Sequence, residues 1–342
     1  MPSILNIQEF LKLSETMTVL DVRTPAEFEQ GHIPGAFNLP LFKDEERKIV
    51  GTIYKQQGKQ AAILKGLELV GPRLKDIIEA ANKINADSSF LVHCWRGGMR
   101  SSSIAWLLEA YGHKTLVLKG GYKSFRKLAF QIFTEPQKLL VLGGRTGAAK
   151  TLLLYKLQNK GQQIIDLEKL SNHKGSSFGS LGENKQPSQE AFENELAMAF
   201  YSLDKDKTIW LEDESRMIGQ KVIPAAIWEQ MRLANVVYLD IPFVERVAYL
   251  VSEYGKFKSH ELIESTNRIS KRLGGQHAKR AVEAIKQGDL KTACEITLAY
   301  YDKAYDFGIE KREPEKVIKF SFDKLDTEKI AAEIIKSITQ VK

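Results

Sequence analysis

The chain of 342 residues is poor in cysteine, with Cys94 and Cys294 far apart in the sequence. This scarcity argues against a disulfide framework and favours a reducing compartment, so we expect the protein in the cytoplasm. No apolar run reaches membrane-spanning length, and the first residues lack the basic segment and apolar core of a secretory signal. The six histidines and two cysteines show no metal-ligand spacing. We therefore expect a protein without a membrane segment, a structural metal or a disulfide scaffold.

The composition is that of a globular protein, with 43% hydrophobic and 27% charged residues. A chain of this length is too long for one ordinary core, so about two domains are expected. Lysine and arginine (50) exceed aspartate and glutamate (43) by 50 − 43 = 7, and the isoelectric point is about 9.1. This excess permits a polyanionic partner, but it is equally compatible with plain solubility.

A cysteine lies at a predicted strand-to-helix turn in residues 90–101. The apolar run ends at His93, and two glycines and two arginines follow before a helical pattern begins. Loop amides, the helix N-terminus, Arg96 and Arg100 would all favour a thiolate at Cys94. The alternative is a buried, unreactive cysteine, but packing requires neither the glycines nor the arginines. Cys94 is therefore the first candidate catalytic residue, together with both arginines.

Strand and helix patterns alternate in the first part of the chain. Strands are predicted at residues 18–23 and 115–118, and a helix opens at Pro25, which predicts an α/β domain with a parallel sheet. The motif at residues 21–40, followed by the cysteine loop, resembles a rhodanese domain. This resemblance covers about residues 3–126 and implies that Cys94 holds a persulfide or its selenium counterpart. Asp21 and Arg23 of the motif are candidates for substrate binding or support.

A charged stretch at residues 42–58 interrupts this domain. It is predicted either as a solvated surface helix or as an extension that narrows the substrate entrance, and its periodicity does not decide between them.

A second motif follows a predicted buried strand at residues 138–144. A glycine-rich turn, a lysine, a hydroxyl and a helix then form the arrangement that cradles phosphates. The motif is similar to a P-loop, with glycine replaced by Ala149 before the lysine. If that position needs a positive φ, alanine there costs about 1–2 kcal/mol. The alternative is a structural turn. The predicted phosphate-binding residues are Gly144, Thr146, Gly147, Lys150 and Thr151.

An acidic segment follows the predicted strand at residues 208–211. Glu212 and Asp213 are expected at the carboxyl edge of the sheet beside the P-loop, where acidic groups can hold magnesium. The predicted Mg²⁺ ligands are Thr151 and Asp213, and Arg216 is a candidate substrate contact. A solvated acidic turn is the alternative.

A polar loop at residues 166–179 follows another predicted strand, residues 163–165. Its candidates for substrate contact or support are Asp166, Glu168, Asn172 and His173. An ordinary long loop would show the same composition.

The last third of the chain is helical and basic. Basic residues between Arg246 and Lys286 alternate with Tyr249, Tyr254 and Phe257, a pattern that can grip RNA or simply form a solvated helical face. Cys294 lies in a helical pattern that predicts a core position.

Taken together, these segments are similar to the tRNA 2-selenouridine synthase family. The similarity rests on residues 94–101, the P-loop, residues 166–179 and residues 210–219, with further matches at residues 46–58, 271–275 and 300–305. The family pattern tends to have glycine where Lys169 stands and arginine where Lys174 stands. Lys174 keeps the positive charge but lacks the guanidinium group, which can make two parallel hydrogen bonds to one ligand.

The resemblance implies an enzyme that converts wobble 2-thiouridine in tRNA to 2-selenouridine. It implies S-geranylation by geranyl diphosphate, followed by selenation with selenophosphate. Both donors are co-substrates, no cofactor is tightly bound, and a selenophosphate-supplying enzyme is a partner. We expect a rhodanese-like domain at residues 1–130 and, at residues 131–342, a P-loop domain with a helical, basic C-terminal region. The residues leave two rivals open: an ATP-dependent sulfurtransferase and a non-enzymatic RNA-binding or nucleotide-sensing module.

Overall fold

The computed structural model describes residues 3–85 and 89–340. The chain forms two compact units: Met1–Ile132 with Ser188–Met198, and Phe133–Pro187 with Ala199–Lys342. The predicted boundary at residue 130 had placed the second segment of unit 1 in the other domain.

Unit 1 is built on a parallel sheet of five strands in the order β1-β5-β4-β2-β3. The strands are β1 (Ser3–Leu5), β2 (Thr18–Asp21), β3 (Phe37–Asn38), β4 (Ser89–His93) and β5 (Lys114–Leu118). The helices are α1 (Ile7–Ser14), α2 (Pro25–Gln30), α3 (Asp44–Gln57), α4 (Lys59–Val70), α5 (Leu74–Ile84), α6 (Met99–Tyr111) and α7 (Gly121–Thr134), with a 3-10 turn at Gly71–Arg73.

The core of unit 1 follows from the apolar run of β4. Phe90, Leu91 and Val92 are fully buried, as expected for a central strand of a parallel sheet covered on both faces. The charged stretch at residues 42–58 forms α3, none of whose residues is fully buried. This matches the surface-helix interpretation of that stretch.

The segment Ser188–Met198 joins unit 1 through polar side chains. Asn194, itself fully buried, donates to the carbonyl of His32 at 2.8 Å and accepts from Arg126 at 2.6 Å. The hydroxyl of Tyr122 donates to Glu190 at 2.7 Å. These partners are widely separated in sequence, so local patterns could not reveal that the segment belongs here.

Unit 2 holds a second parallel sheet of five strands, in the order β12-β11-β6-β8-β7. Its strands are β6 (Leu139–Gly144), β7 (Gln163–Ile165), β8 (Ile209–Glu212), β11 (Asn235–Asp240) and β12 (Val317–Ser321), and a small antiparallel hairpin consists of β9 (Met217–Ile218) and β10 (Lys221–Val222). The predicted α/β class with parallel sheets is thus confirmed.

The helices after β6 become denser toward the end of the chain, and the one that begins at Gln189 belongs largely to unit 1. They are α8 (Lys150–Asn159), α9 (Leu167–Ser171), α10 (Gln189–Tyr201), α11 (Ala225–Leu233), α12 (Phe243–Tyr254), α13 (Ser259–Arg268), α14 (Ser270–Leu273), α15 (Gly275–Lys286), α16 (Leu290–Ile309) and α17 (Thr327–Gln340), with a 3-10 turn at Pro314–Lys316. The first strand, β6, lies at the centre of the sheet, so its carboxyl end and the following loop lie between neighbouring strands β8 and β11. That position is where ligands bind in open α/β sheets.

Candidate functional site

The cysteine loop of unit 1 joins β4 to α6 and is held by the turn after β5. The amide of Tyr122 donates to the carbonyl of Cys94 at 2.8 Å, and the amide of Lys123 donates to that of Trp95 at 3.0 Å. Gly97 has φ +64°, and a Cβ there would lie 2.4 Å from the carbonyl oxygen of Leu118. Only glycine fits at this close approach, so the loop conformation is fixed by its sequence.

The sulfur of Cys94 lies among hydrogen-bond donors. Its Sγ is 3.3 Å from the hydroxyl of Ser101 and accepts from the amide of Gly98 at 3.4 Å. Burial acts to raise the pKa of this thiol, but the hydroxyl and the loop amides outweigh it and hold the pKa below its usual value. The side chain is only 3% exposed. The loop therefore favours a thiolate, as predicted, but leaves little of the sulfur open to solvent.

The two loop arginines have different surroundings. Arg100 donates to the carboxylate of Glu27 at 2.7 Å, in a pair that is mostly buried. Arg96 is exposed and forms no ion pair with any residue in the described part of the chain. Of the two predicted anion-binding arginines, Arg96 is thus the one whose charge is not already paired.

Asp21 and Arg23 form a buried ion pair beneath this loop. Both side chains are fully buried, and the guanidinium donates to the carboxylate at 2.6 Å and to the carbonyl of Gly31 at 2.7 Å. The guanidinium also lies over the ring of Tyr122, 3.8 Å from its centre. These contacts give the pair a supporting role, since no part of either side chain reaches the surface.

The P-loop of unit 2 has the expected strand-turn-helix form between β6 and α8. Lys150, the first residue of α8, donates from Nζ to the carbonyl of Gly144 at 3.0 Å. Gly147 has φ +85°, and a Cβ there would lie 3.0 Å from backbone and side-chain atoms of Arg246. The loop therefore places a lysine and a helix N-terminus at one point, which suits an anionic ligand.

Ala149 adopts the left-handed conformation, with φ 51° and ψ 39°. Glycine is the residue that takes this conformation without a steric penalty. The position does require a positive φ, so the alanine that departs from the P-loop pattern is strained.

The carboxylate nearest to the P-loop hydroxyl is that of Glu168, not Asp213. The hydroxyl of Thr151 donates to Glu168 at 2.8 Å. The prediction of Thr151 and Asp213 as a Mg²⁺ pair needs correction, because both oxygens of Asp213 are engaged by Arg312 (2.7 Å) and Tyr305 (3.0 Å). No group of three or more metal-ligating carboxylate, imidazole or thiol side chains occurs in the described ranges. Thr151 and Glu168 fit Mg²⁺ only where phosphate oxygens complete its shell.

Two further carboxyl groups lie at the end of β8. Glu212 is fully buried; Leu167 donates its amide to one oxygen at 3.4 Å, and the other oxygen has no partner in the described part of the chain. Burial raises the pKa of Glu212 well above its usual value, which favours the neutral carboxylic acid. Burial and the charge of Glu168 raise the pKa of Glu214 to about 8. Glu214 was not singled out from the sequence, although it lies in the acidic segment.

The polar loop at residues 166–179 divides into capping and wall residues. Asp166 caps α9 by accepting from the amide of Lys169 at 2.8 Å. Asn172 ends that helix in the left-handed conformation and donates to the carbonyl of Lys185 at 3.1 Å. His173 and Lys174 line the cavity described below. The first two are therefore structural, and the last two are positioned to contact a ligand.

A cavity of about 1160 Å³ opens beside the P-loop. It brings together several of the predicted residues, whereas Arg216 does not line it. Its wall combines P-loop, acidic, basic and aromatic side chains, among them Thr146, Gly147, Lys150, Thr151, Glu168, His173, Lys174, Glu214, Trp228, Arg232, Tyr249, Arg268, Arg272, Tyr301, Tyr305 and Lys311. Such a space is large enough for more than one small ligand.

The basic helical region does not form an exposed aromatic platform. Arg246 is 2% exposed and pairs with Asp302 at 2.7 Å, so its charge is neutralised inside the protein. Tyr254 and Phe257 pack against an apolar cluster. The predicted aromatics do not form one exposed surface for bases, because Tyr254 and Phe257 are partly buried and Tyr249 and Tyr254 line the cavity beside the P-loop. Basic residues that remain exposed are Lys256, Lys258, Arg268, Lys271, Arg272, Lys279, Arg280 and Lys286.

Comparison with known proteins covers both units. Residues 6–128 match the rhodanese-like domain, and residues 137–333 match the tRNA 2-selenouridine synthase AAA domain. Proteins named tRNA 2-selenouridine synthase from Shewanella denitrificans and Sulfurovum sp. are 36% and 37% identical, over 88% and 86% of this chain and 90% and 89% of theirs. That of Proteus mirabilis is 33% identical over 95% of this chain and 98% of its own.

In the described ranges, no helix combines the length and the apolar character needed to cross a bilayer. The domain matches extend over most of the chain, and the similarity to the three relatives runs through both units. This chain belongs to the tRNA 2-selenouridine synthase family.

Proposed function

We propose that this protein converts 2-thiouridine at the wobble position of tRNA into 2-selenouridine, in two steps at two sites. The observation that carries the proposal is the pairing, in one chain of this family, of a cysteine whose pKa is lowered by its loop with a P-loop that ends in Lys150. Each is suited to an anionic donor, and each serves one step.

The first step is alkylation of the thiocarbonyl sulfur by geranyl diphosphate. The sulfur attacks the first carbon of the geranyl group, a carbon–sulfur bond forms, and the carbon–oxygen bond to diphosphate breaks. The adjacent ring nitrogen loses its proton to solvent. Charge develops on the leaving diphosphate, where Lys150, the loop amides and the start of α8 stabilise it. Mg²⁺, when bound by Thr151 and Glu168, would add positive charge at the same place.

The second step replaces the alkylated sulfur with selenium. Selenium of selenophosphate attacks the ring carbon, the carbon–sulfur bond breaks, and geranyl thiol leaves. Water then cleaves the phosphorus–selenium bond and releases phosphate. Alkylation makes the second step easier because an alkyl thiolate leaves more readily than sulfide. The thiolate of Cys94 directs the selenium of selenophosphate onto the ring carbon without bonding to it, and Arg96 holds this anionic donor.

The substrate is tRNA that already carries wobble 2-thiouridine, and the selenium donor comes from an enzyme that supplies selenophosphate. The RNA substrate puts the reaction in the cytoplasm. The exposed basic residues of the C-terminal helices are the natural contacts for RNA phosphates.

Mass spectrometry of tRNA nucleosides tests the proposal. Thiolated tRNA incubated with the protein and geranyl diphosphate should yield S-geranyl-2-thiouridine, and addition of selenophosphate should convert it to 2-selenouridine. ATP-dependent sulfur transfer from thiosulfate without any need for tRNA would contradict the proposal, as would tight tRNA binding with no modified base.

A further inference from the structure

A second cavity lies next to the P-loop cavity and is almost entirely apolar. The two cavities share a wall, made of Thr146 in the P-loop, Ser176, Leu250, Tyr254 and Tyr301. They therefore meet beside the glycine-rich loop, where the phosphate head of a ligand would lie.

The remaining wall of the second cavity comes mainly from α13, α15 and α16. Its side chains are aliphatic or aromatic, among them Phe178, Val251, Leu262, Ile285, Leu290, Ala293 and Leu298. No aspartate, glutamate, lysine, arginine or histidine lines it in the described part of the chain. The chemistry of this wall is that of a site for hydrocarbon.

The polar side chains in this wall already have partners or are neutral. The hydroxyl of Thr266 donates to the carbonyl of Leu262 at 2.8 Å, and that of Thr297 donates to the carbonyl of Ala293 at 3.0 Å. Burial raises the pKa of Cys294 to about 12, so it stays an uncharged thiol. Ordered water needs two or more polar partners, and this wall offers few free polar groups to bind it.

The free space is about 70 Å³. At roughly 10–15 Å³ for each water-sized group, it holds about five to seven such groups. That number of groups matches the five carbons of one isoprenoid unit. A second unit, nearer to the phosphates, would lie along the shared wall at Leu250 and Tyr254.

We propose that the second cavity receives the hydrocarbon tail of the diphosphate donor whose head is bound by the P-loop, and that its far wall limits the tail to about two isoprenoid units. This inference rests on the proposed alkylation step and identifies the residues that select its donor. A nucleoside triphosphate would place a ribose and a base beside the phosphates, and this wall offers them no charged group.

Equilibrium binding to the full chain tests the inference without requiring catalysis. The ligands are inorganic diphosphate and isoprenoid diphosphates with one, two and three units, measured by calorimetry. The wild type should bind the two-unit ligand at least tenfold more tightly than inorganic diphosphate, with a ceiling of about a thousandfold if one unit leaves water completely.

Two substitutions in the far wall should change chain preference in opposite directions. Ala293→Leu fills the cavity and should remove the advantage of the second unit while affinity for inorganic diphosphate stays unchanged. Leu262→Ala enlarges it and should improve binding of the three-unit ligand relative to the two-unit ligand. Ala284→Leu is the matched control, since Ala284 belongs to the same apolar cluster but does not line the cavity.

The inference is overturned if the wild type binds the two-unit ligand no better than inorganic diphosphate, or if Ala284→Leu shifts chain preference as much as Ala293→Leu. Should Ala293→Leu fail to fold, Leu262→Ala tests the inference alone. An unchanged affinity for the three-unit ligand relative to the two-unit ligand would then overturn it. Chain-dependent binding without alkylation of tRNA would contradict the proposed function and leave the tail site standing.

Discussion

The hydroxyl of Tyr305, on α16, accepts a hydrogen bond from the amide of Gly144 at 2.7 Å and donates to Asp213 at 3.0 Å. The P-loop is thereby tied to a helix 161 residues further along the chain. This tie involves a buried amide at the end of β6, so the start of the loop is fixed before any ligand binds.

We expect Tyr305→Phe to destabilise the protein by about 1–3 kcal/mol, because a buried amide and a buried carboxylate each lose a partner. The measurement is thermal unfolding, with a fall of several degrees in melting temperature. Tyr300→Phe is the control, since its hydroxyl forms no hydrogen bond in the described ranges. Equal losses in both variants would show that the hydroxyl of Tyr305 contributes nothing.

Ala149→Gly should stabilise the P-loop by about 0.5–1 kcal/mol, because glycine relieves the left-handed strain at φ 51°. The neighbouring Ala148→Gly should instead destabilise by about 1 kcal/mol. Ala148 is 1% exposed in an apolar cluster and does not have a positive φ. Denaturant unfolding measures the change in the free energy of unfolding for both variants. A destabilising Ala149→Gly would show that the strain is unimportant.

The raised pKa of Glu214 predicts a dependence of stability on pH. Its carboxyl keeps a proton in the folded state up to about pH 8, whereas the unfolded chain loses it near the ordinary value of 4.5. The stability that this group contributes is therefore greatest at low pH and falls as pH rises through this window. Glu214→Gln should melt several degrees higher than wild type near pH 8.5 and about equally near pH 5.

Glu253→Gln provides the control for this pH effect. Glu253 lies in the same cavity wall and pairs with Lys256 at 3.7 Å. It should show no gain that grows with pH. A Glu214→Gln gain that is the same at both pH values would rule out titration of Glu214 as its cause.

Ser101→Ala should raise the pKa of Cys94, because the hydroxyl 3.3 Å from Sγ is a main cause of its lowering. Less thiolate is then present at neutral pH. The thiolate absorbance followed against pH measures this shift, in a Cys294→Ser background that leaves a single thiol. A titration curve that does not move would mean that the backbone amides alone set the pKa.

The local sequence patterns were sufficient for the strand-end cysteine, the P-loop and the α/β class of both units, whereas the edge strands β1 and β12 were not predicted. In each case a buried strand and the turn after it lie within about a dozen residues, so the pattern contains all the information. The motif raised the question of a positive φ at Ala149 only as a condition, and the structure shows φ 51° there.

Ion pairs formed across a long sequence separation could not be predicted from local patterns. The charges of Arg100, Asp213 and Arg246 are paired with those of Glu27, Arg312 and Asp302 respectively. The role of Tyr305 was missed for the same reason, since no local pattern connects it with Gly144.

The central claim is that the P-loop and the cysteine loop perform separate, successive steps, and exchanging an intermediate between two variants tests it most directly. Thiolated tRNA is first incubated with Cys94→Ser and geranyl diphosphate, purified, and then given to Lys150→Ala with selenophosphate. We expect geranylated tRNA after the first incubation and 2-selenouridine after the second, although neither variant alone makes 2-selenouridine from thiolated tRNA. Absence of geranylated tRNA from the first incubation, or failure of Lys150→Ala to selenate it, would contradict the account.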